Sequence, residues 1–229
     1  MPEFYAGRCD LTQHAVSDYQ YAGGPDIMRF ILADRTLEPS LRALMRDITM
    51  PGAIEIAYRR EPDFFNALCV EGETTQVIAA IEAGTVVGMG CRSIRPMHIN
   101  GERMDFGYLS SLRAAPSARR ATGVARGYAY LRSLHNDGRV PAYISTIVED
   151  NVHARNMLTS RRAGLPKYDD WGRLLTFVLP IRRKPRPPRA SPGFRIVRGN
   201  SIGVETLSLI HIEPTRLLSI SYAVFCLKK

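Results

Sequence analysis

A chain of 229 residues can form one large domain, or one domain with part of another. Its hydrophobic share of 45% and charged share of 23% are those of a globular protein, which argues against disorder as the default state. The net charge of +9 points to an anionic partner: nucleic acid, a membrane surface or a phosphorylated cofactor, among which charge alone does not choose.

The four cysteines, Cys9, Cys69, Cys91 and Cys226, are scattered without a CxxC pair, so neither a zinc site nor a disulfide framework is expected. The start, MPEFYAGRCDLTQ, has no apolar run behind a basic segment, and no later run approaches a membrane span. A cytoplasmic protein without a membrane partner is the expectation.

In chain order, residues 1–26 form a Tyr-rich extension without periodicity, ending at the turn Gly23-Gly24-Pro25. Met28 to Leu32 is a short apolar strand, and Asp34 or Thr36 can cap a helix with Leu37, Leu41, Leu44 and Met45 on one face. Met50-Pro51-Gly52 stops it. Ala53 to Tyr58 alternates as a half-buried strand, and Glu61-Pro62 opens a short helix through Phe64, Phe65 and Leu68, with Pro at an early helical position. Gln76 to Glu82 and Thr85 to Arg92 form a hairpin about Ala83-Gly84, and Met104 to Arg113 follows the turn at Asn100-Gly101 as a third strand.

The pattern then changes to strand, helix, strand. Val124 to Leu134 reads as a helix ended by Asn136-Asp137-Gly138, and Pro141 to Val148 as a buried strand. Leu109 to Leu112 and Tyr143 to Val148 are therefore expected as parallel neighbours joined by a right-handed crossover. Asn151 to Ser160 is a second helix, and Trp171 to Ile181 a closing strand or hairpin. The expected class is α+β, a mixed sheet built from an antiparallel meander and a βαβ crossover with helices on both faces, spanning 27–181.

Residues 182–192, with five basic residues and four prolines, read as an extended linker. They supply much of the excess positive charge and weaken the case for nucleic acid as the partner of the folded part. Phe194 to Asn200 echoes Met28 to Asp34, so residues 193–207 look like the start of a second related domain. Residues 208–229 continue neither that domain nor the first, and are expected to be a non-native tail.

The chemistry sits around Arg120-Ala121-Thr122-Gly123-Val124-Ala125, between an apolar strand and a helix without breakers. N–H groups in a helix's first turn have no intrahelical partner, and the helix dipole adds positive charge, so such a turn holds phosphate. Gly123 removes a Cβ from the rim, while Arg119, Arg120 and Arg126 add charge. No GxxxxGK motif supplies a Lys and hydroxyl for a nucleoside triphosphate with magnesium, and the meander before the loop does not fit a GxGxxG dinucleotide fold. No metal is expected.

Residues 28–181 resemble the GNAT superfamily of acyl-CoA-dependent N-acyltransferases. Arg120 to Ala125 is similar to its Gln/Arg-x-x-Gly-x-Gly/Ala loop, and Asn151-Val152-His153-Ala154 to its Asn-x-x-Ala helix opening. The resemblance implies acetyl-CoA as co-substrate, with backbone N–H groups of Ala121, Thr122, Gly123, Val124, Ala125 and Arg126 around its pyrophosphate. It also implies pantetheine between the strands ending at Leu112-Arg113 and Val148, and an N–H near Leu112 or Arg113 on the thioester carbonyl. Asn151 would fix the cofactor's amide or the strand ends. Glu149 and Asp150 are candidates for the base, beside their ordinary roles as a solvated residue and a helix cap.

The family's usual Tyr acid, one turn beyond the Ala, is Leu158 here, and Tyr168 or Tyr108 are the candidates to replace it. The expected function is direct acetyl transfer to a primary amine on a small molecule or peptide. The alternatives are a CoA-binding regulatory or degenerate module and, on charge alone, a nucleic-acid-binding protein. A homodimer is open to it. Tyr58, Glu61, Asp63, Phe64 and Phe65 are candidates to line the acceptor pocket, the acidic pair suiting a cationic amine. His98, His135 and His153 read as surface or helix-end residues, Ser110 and Ser111 as strand residues without a nucleophile elbow, and Trp171 and Phe177 as packing for the last strands.

Overall fold

The computed structural model describes residues 28–50, 55–100, 102–116, 118, 122–162, 164–177 and 219–228. The extension 1–26, the linker 182–192 and the segment 193–207 lie outside them. The chain divides into one unit of Met1–Leu174 with Ser221–Lys229 and a second of Leu175–Ile220, of which only strand ends are among the described residues.

The sheet is the organising element. Its strands are β1 (Arg29–Leu32), β2 (Thr74–Glu82), β3 (Thr85–Ile99), β4 (Glu102–Ala114), β5 (Ala142–Val148), β6 (Tyr168–Phe177) and β7 (Ser219–Lys228), in the order β1-β2-β3-β4-β5-β7-β6. Strands β1 to β4 pair antiparallel as the meander requires, and β4 pairs β5 in parallel. The hairpin between β2 and β3 turns on Ala83 and Gly84, both at positive φ, the backbone that a two-residue loop of this hand needs.

β2 explains why helices cover both faces. Its alternate residues Val77, Ala79 and Ile81 pack into one core, and Ile78 and Ala80 into another. The first core is closed by α1 (Glu38–Asp47) and α2 (Phe64–Leu68), through Leu41, Leu44, Met45, Phe64, Phe65 and Leu68. The second is closed by α3 (Gly123–His135), through Tyr130, Leu131 and Leu134 against Met28, Phe30 and Val87. Each such side chain contributes about 1.5–3 kcal/mol by leaving water. A fourth helix, α4 (Val152–Thr159), packs Leu158 on Ile147 and Tyr168.

Several expectations need correction. Of the strand expected over Ala53 to Tyr58, the described residues 55–58 form no strand: Ile56 makes a single bridge to Met50, just beyond the end of α1. Asp34, not Thr36, is the first cap, and it caps a 3-10 turn (Arg35–Leu37) that leads into α1. Pro62 precedes α2 because Asp63 is its N-cap, with Oδ1 accepting from Asn66 N at 2.8 Å. The histidines stand as expected, His135 at the end of α3 with Nδ1 3.1 Å from Tyr143 Oη, and His98 and His153 exposed. The tail expected to build no element of the first domain carries β7, whose register against β5 runs from Ala142↔Lys228 to Val148↔Tyr222.

Candidate functional site

β4 and β5 are in register only at Gly107↔Tyr143 and Tyr108↔Ile144. β4 then continues to Ala114 and β5 to Val148 without pairing to each other. Because the strands are parallel, the gap opens at their carboxyl ends, where each leads into a helix. That is where open mixed sheets bind ligands.

The two helix starts differ. Asn151 caps α4, its Oδ1 accepting from Ala154 N at 3.2 Å. The cap that Asp150 was a candidate to supply is therefore made by its neighbour, and the Asn151 side chain has a structural partner. Thr122, the N-cap of α3, makes no side-chain capping bond, and the first intrahelical donor is Arg126 N to Thr122 O at 2.9 Å. The N–H groups of Gly123, Val124 and Ala125 thus have no partner within the helix. A Cβ on Gly123 would sit 2.4 Å from Ala118 O, so this backbone approach requires glycine.

Arg119, Arg120 and Ala121 lie outside the described residues. The Arg126 guanidinium donates to Met28 O and lies over the Phe30 ring at 5.6 Å from the centroid. Other positive charge is near, since Gly164 approaches Ala125 so closely that a Cβ on Gly164 would meet the Ala125 methyl at 3.0 Å. The same loop carries exposed Arg161 and Arg162.

A bulge interrupts β4 on its other side. Met89 faces Arg113 and Cys91 faces Ser110, so Ser111 and Leu112 together oppose Gly90, with Ser111 at φ +55°. Such a bulge leaves one residue's backbone groups outside the ladder and aimed away from it. Leu112 and Arg113, expected to polarise a thioester here, are thus at a break in the hydrogen-bonding pattern, and Leu112 is 39% exposed.

The bulge faces a polar cluster that sequence patterning did not single out. Ser110 Oγ donates to Glu71, Arg60 forms an ion pair with Glu71, and Arg60 Nη2 reaches Ser111 Oγ at 3.5 Å. Glu71 sits in the short connection before β2, where no periodicity marks it. Its charge is felt by two neighbours: Cys91 is pushed up to about 12, first by burial and then by Glu71, and Tyr108 is raised by burial with Glu71 adding to it. Tyr108 Oη meets Thr146 Oγ1 at 2.9 Å, bridging β4 to β5 where the gap begins.

The other candidates stand elsewhere. Glu149 Oε1 accepts from Arg173 Nε at 2.7 Å, and Asp150 is exposed. Tyr168 is 5% exposed, with its hydroxyl in contact with Tyr128 Oη at 2.8 Å and Ser145 Oγ at 3.2 Å, inside the core under α3 and α4. Glu61 and Asp63 pair with Arg42 and Arg35, and Phe64 and Phe65 are buried in the α1–α2 core. Tyr58 is exposed. Among the described residues there is no cluster of His, Cys, Asp and Glu that could hold a metal, and no helix long and apolar enough to cross a membrane.

No family model and no curated protein matches the chain by sequence. Solved structures match its fold. It superposes on a ribosomal-protein-alanine N-acetyltransferase of Brucella melitensis with a TM-score of 0.52 at 16% identity, covering 87% of this chain and 99% of that one. NAA60 of Arabidopsis thaliana, in complex with a bisubstrate analogue, gives 0.54 at 13% identity over 89% and 99%. An acetyltransferase of the GNAT family from Streptococcus pneumoniae gives 0.50 at 10% identity over 89% and 100%. The chain has the GNAT acyltransferase fold, as its loop and helix-opening motifs led us to expect.

Proposed function

We propose that this chain is an N-acetyltransferase that moves an acetyl group from acetyl-CoA directly to a primary amine. The observation that carries this is the gap between β4 and β5, with the uncapped start of α3 at its mouth and the β4 bulge along its wall. The first-turn N–H groups of Gly123 to Ala125 suit a pyrophosphate. A pantetheine arm can satisfy the unpaired edges of β4 and β5 as a strand would. A bulge N–H from the Ser111 to Arg113 stretch is suited to polarise the thioester carbonyl as the amine attacks.

Glu71 is the carboxylate in contact with the bulge, and we assign it the proton released by the amine. The ion pair with Arg60 and the hydrogen bond from Ser110 hold this carboxylate against the bulge. Glu149, engaged by Arg173, takes a structural role in this scheme. Tyr108, where the gap between β4 and β5 begins, replaces Tyr168 as the hydroxyl suited to protonate the leaving thiolate.

Calorimetric titration with acetyl-CoA tests cofactor binding, and Gly123→Glu is expected to abolish it. Thiol release with a panel of amines tests turnover. A second reading, a CoA-binding module without catalysis, is favoured by the buried Leu158 where the related Tyr stands. It predicts cofactor binding with no thiol release from any amine.

A further inference from the structure

We propose that the acceptor is a small amino acid-like amine whose own carboxylate docks on the Arg113 guanidinium beside the β4 bulge. This rests on the acetyltransferase reading above.

The charges around the bulge do not balance. Arg113 is 8% exposed, and its guanidinium donates through Nε to Ile48 O at 3.0 Å and through Nη1 to Leu112 O at 2.9 Å. Both acceptors are neutral carbonyls, and among the described residues no carboxylate forms an ion pair with Arg113. The Glu71 carboxylate is already shared by Arg60 and Ser110, and the buried Arg60 Nε has no hydrogen-bond partner. Two guanidinium groups therefore face one carboxylate, with exposed Arg95 further along the same face.

Burial disfavours the charged form of Arg113 and outweighs the opposing effects of Tyr58 and Cys91, with the nearby Arg60 charge adding to it. A guanidinium held in this way is short of an anion, and a carboxylate in forked contact is the group that matches it best. The bond to Leu112 O keeps the guanidinium against the bulge backbone. An amine only a few bonds from the carboxylate would then be held near the residues assigned to the thioester.

The acidic residues expected to attract a cationic acceptor are paired elsewhere, Glu61 with Arg42 and Asp63 with Arg35. The wall is consequently better suited to an amino acid than to a polyamine or aminoglycoside.

The test measures thiol release at saturating acetyl-CoA for amino acids, each beside its carboxamide, and for spermidine. Free acids are expected to exceed their amides by about 10- to 100-fold in kcat/KM. Arg113→Gln should remove that preference, and Arg113→Lys should keep part of it. Circular dichroism confirms that both variants fold. Amides or spermidine turned over as well as the free acids would overturn the proposal.

A binding arm separates it from the acetyltransferase reading. N-acetyl amino acids are titrated against the protein, with their amides as controls. Binding that needs the carboxylate and is lost in Arg113→Gln supports the site even without turnover, and its absence overturns it. Failure to bind acetyl-CoA counts against the acetyltransferase reading alone.

Discussion

Arg92 is the side chain on which the α3–β5 corner depends. It is 1% exposed and donates to Tyr143 Oη at 2.8 Å, Gln76 Oε1 at 2.6 Å and both Asp137 oxygens at 2.8 and 2.9 Å. Removing Asp137 would leave this guanidinium buried without its counter-charge. Asp137→Asn is expected to cost about 3 kcal/mol, the low end for a broken buried pair because the carboxylate itself is partly exposed. Burial acts to raise the Asp137 pKa, but the Arg92 bonds, Arg139 N–H and both guanidinium charges outweigh it and hold it below its ordinary value. The sign follows: the carboxylate's stabilisation is present above its unfolded pKa and lost as pH falls through the lower folded pKa. Melting temperature measured between pH 7 and pH 3 should fall less steeply in Asp137→Asn than in the wild type. An unchanged acid slope would assign the acid sensitivity to other carboxylates.

Gly107 and Gly123 test the gap at the same scale. A Cβ on Gly107 would lie 2.1 Å from Tyr143 Cδ1, and that ring cannot yield because Arg92 and His135 hold its hydroxyl. Gly107→Ala is therefore expected to destabilise by about 1–3 kcal/mol in denaturant unfolding, by forcing apart β4 and β5 where they pair. Gly123→Ala should weaken acetyl-CoA binding and also lower the melting temperature by several degrees, since its Cβ would sit 2.4 Å from the carbonyl of Ala118, a buried residue of the α3 core. Equal affinity in the variant would remove the first turn of α3 from the cofactor site.

Among the elements, α4 tests what its cap contributes. Asn151→Ala removes the Ala154 N–H acceptor and is expected to cost about 1 kcal/mol, and Asn151→Asp should restore most of it, both read by thermal unfolding. A larger loss of acetyl-CoA affinity in Asn151→Ala than in Asn151→Asp would reflect a displaced helix. Equal losses would indicate a direct amide contact, the role the family resemblance implied.

Elements were the most legible level of the sequence. Leu41, Leu44 and Met45 recur at helical spacing and are buried, and the unbroken run of β2 is what a strand covered on both faces looks like. The helix starts after Thr122 and Asn151 were legible because each depends on neighbours a few residues away, but the cap of α4 was read one residue early, at Asp150. The bulge was not. Ser110, Ser111 and Leu112 read as ordinary strand residues, and only pairing with Met89 and Cys91 shows that two residues face one. Glu71 was missed for the same reason: its partners Arg60 and Ser110 are 11 and 39 residues away, and no local period connects them. The ion pairs of Glu61 with Arg42 and of Asp63 with Arg35 were not legible either, because their partners are 19 and 28 residues away.

For the whole molecule, the sheet's completion is the open physical question. β7 lies between β5 and β6, and its pairing covers β5 along its whole length. Without it, the β5 edge away from β4 would expose a row of unpaired N–H and C=O groups, which invites pairing with other chains. A chain ending at residue 207 is therefore expected to melt at a lower temperature and to aggregate at concentrations where the full chain stays monodisperse, as read by differential scanning calorimetry and light scattering. We proposed from sequence that residues 208–229 are a non-native tail, and this truncation weighs that proposal against the pairing. If the shortened chain melts at the same temperature and binds acetyl-CoA equally well, another segment completes the sheet and β7 is dispensable. A loss of stability without loss of cofactor affinity would instead make β7 a structural brace. The gap between β4 and β5 lies on β5's other edge, so its ligand does not require β7.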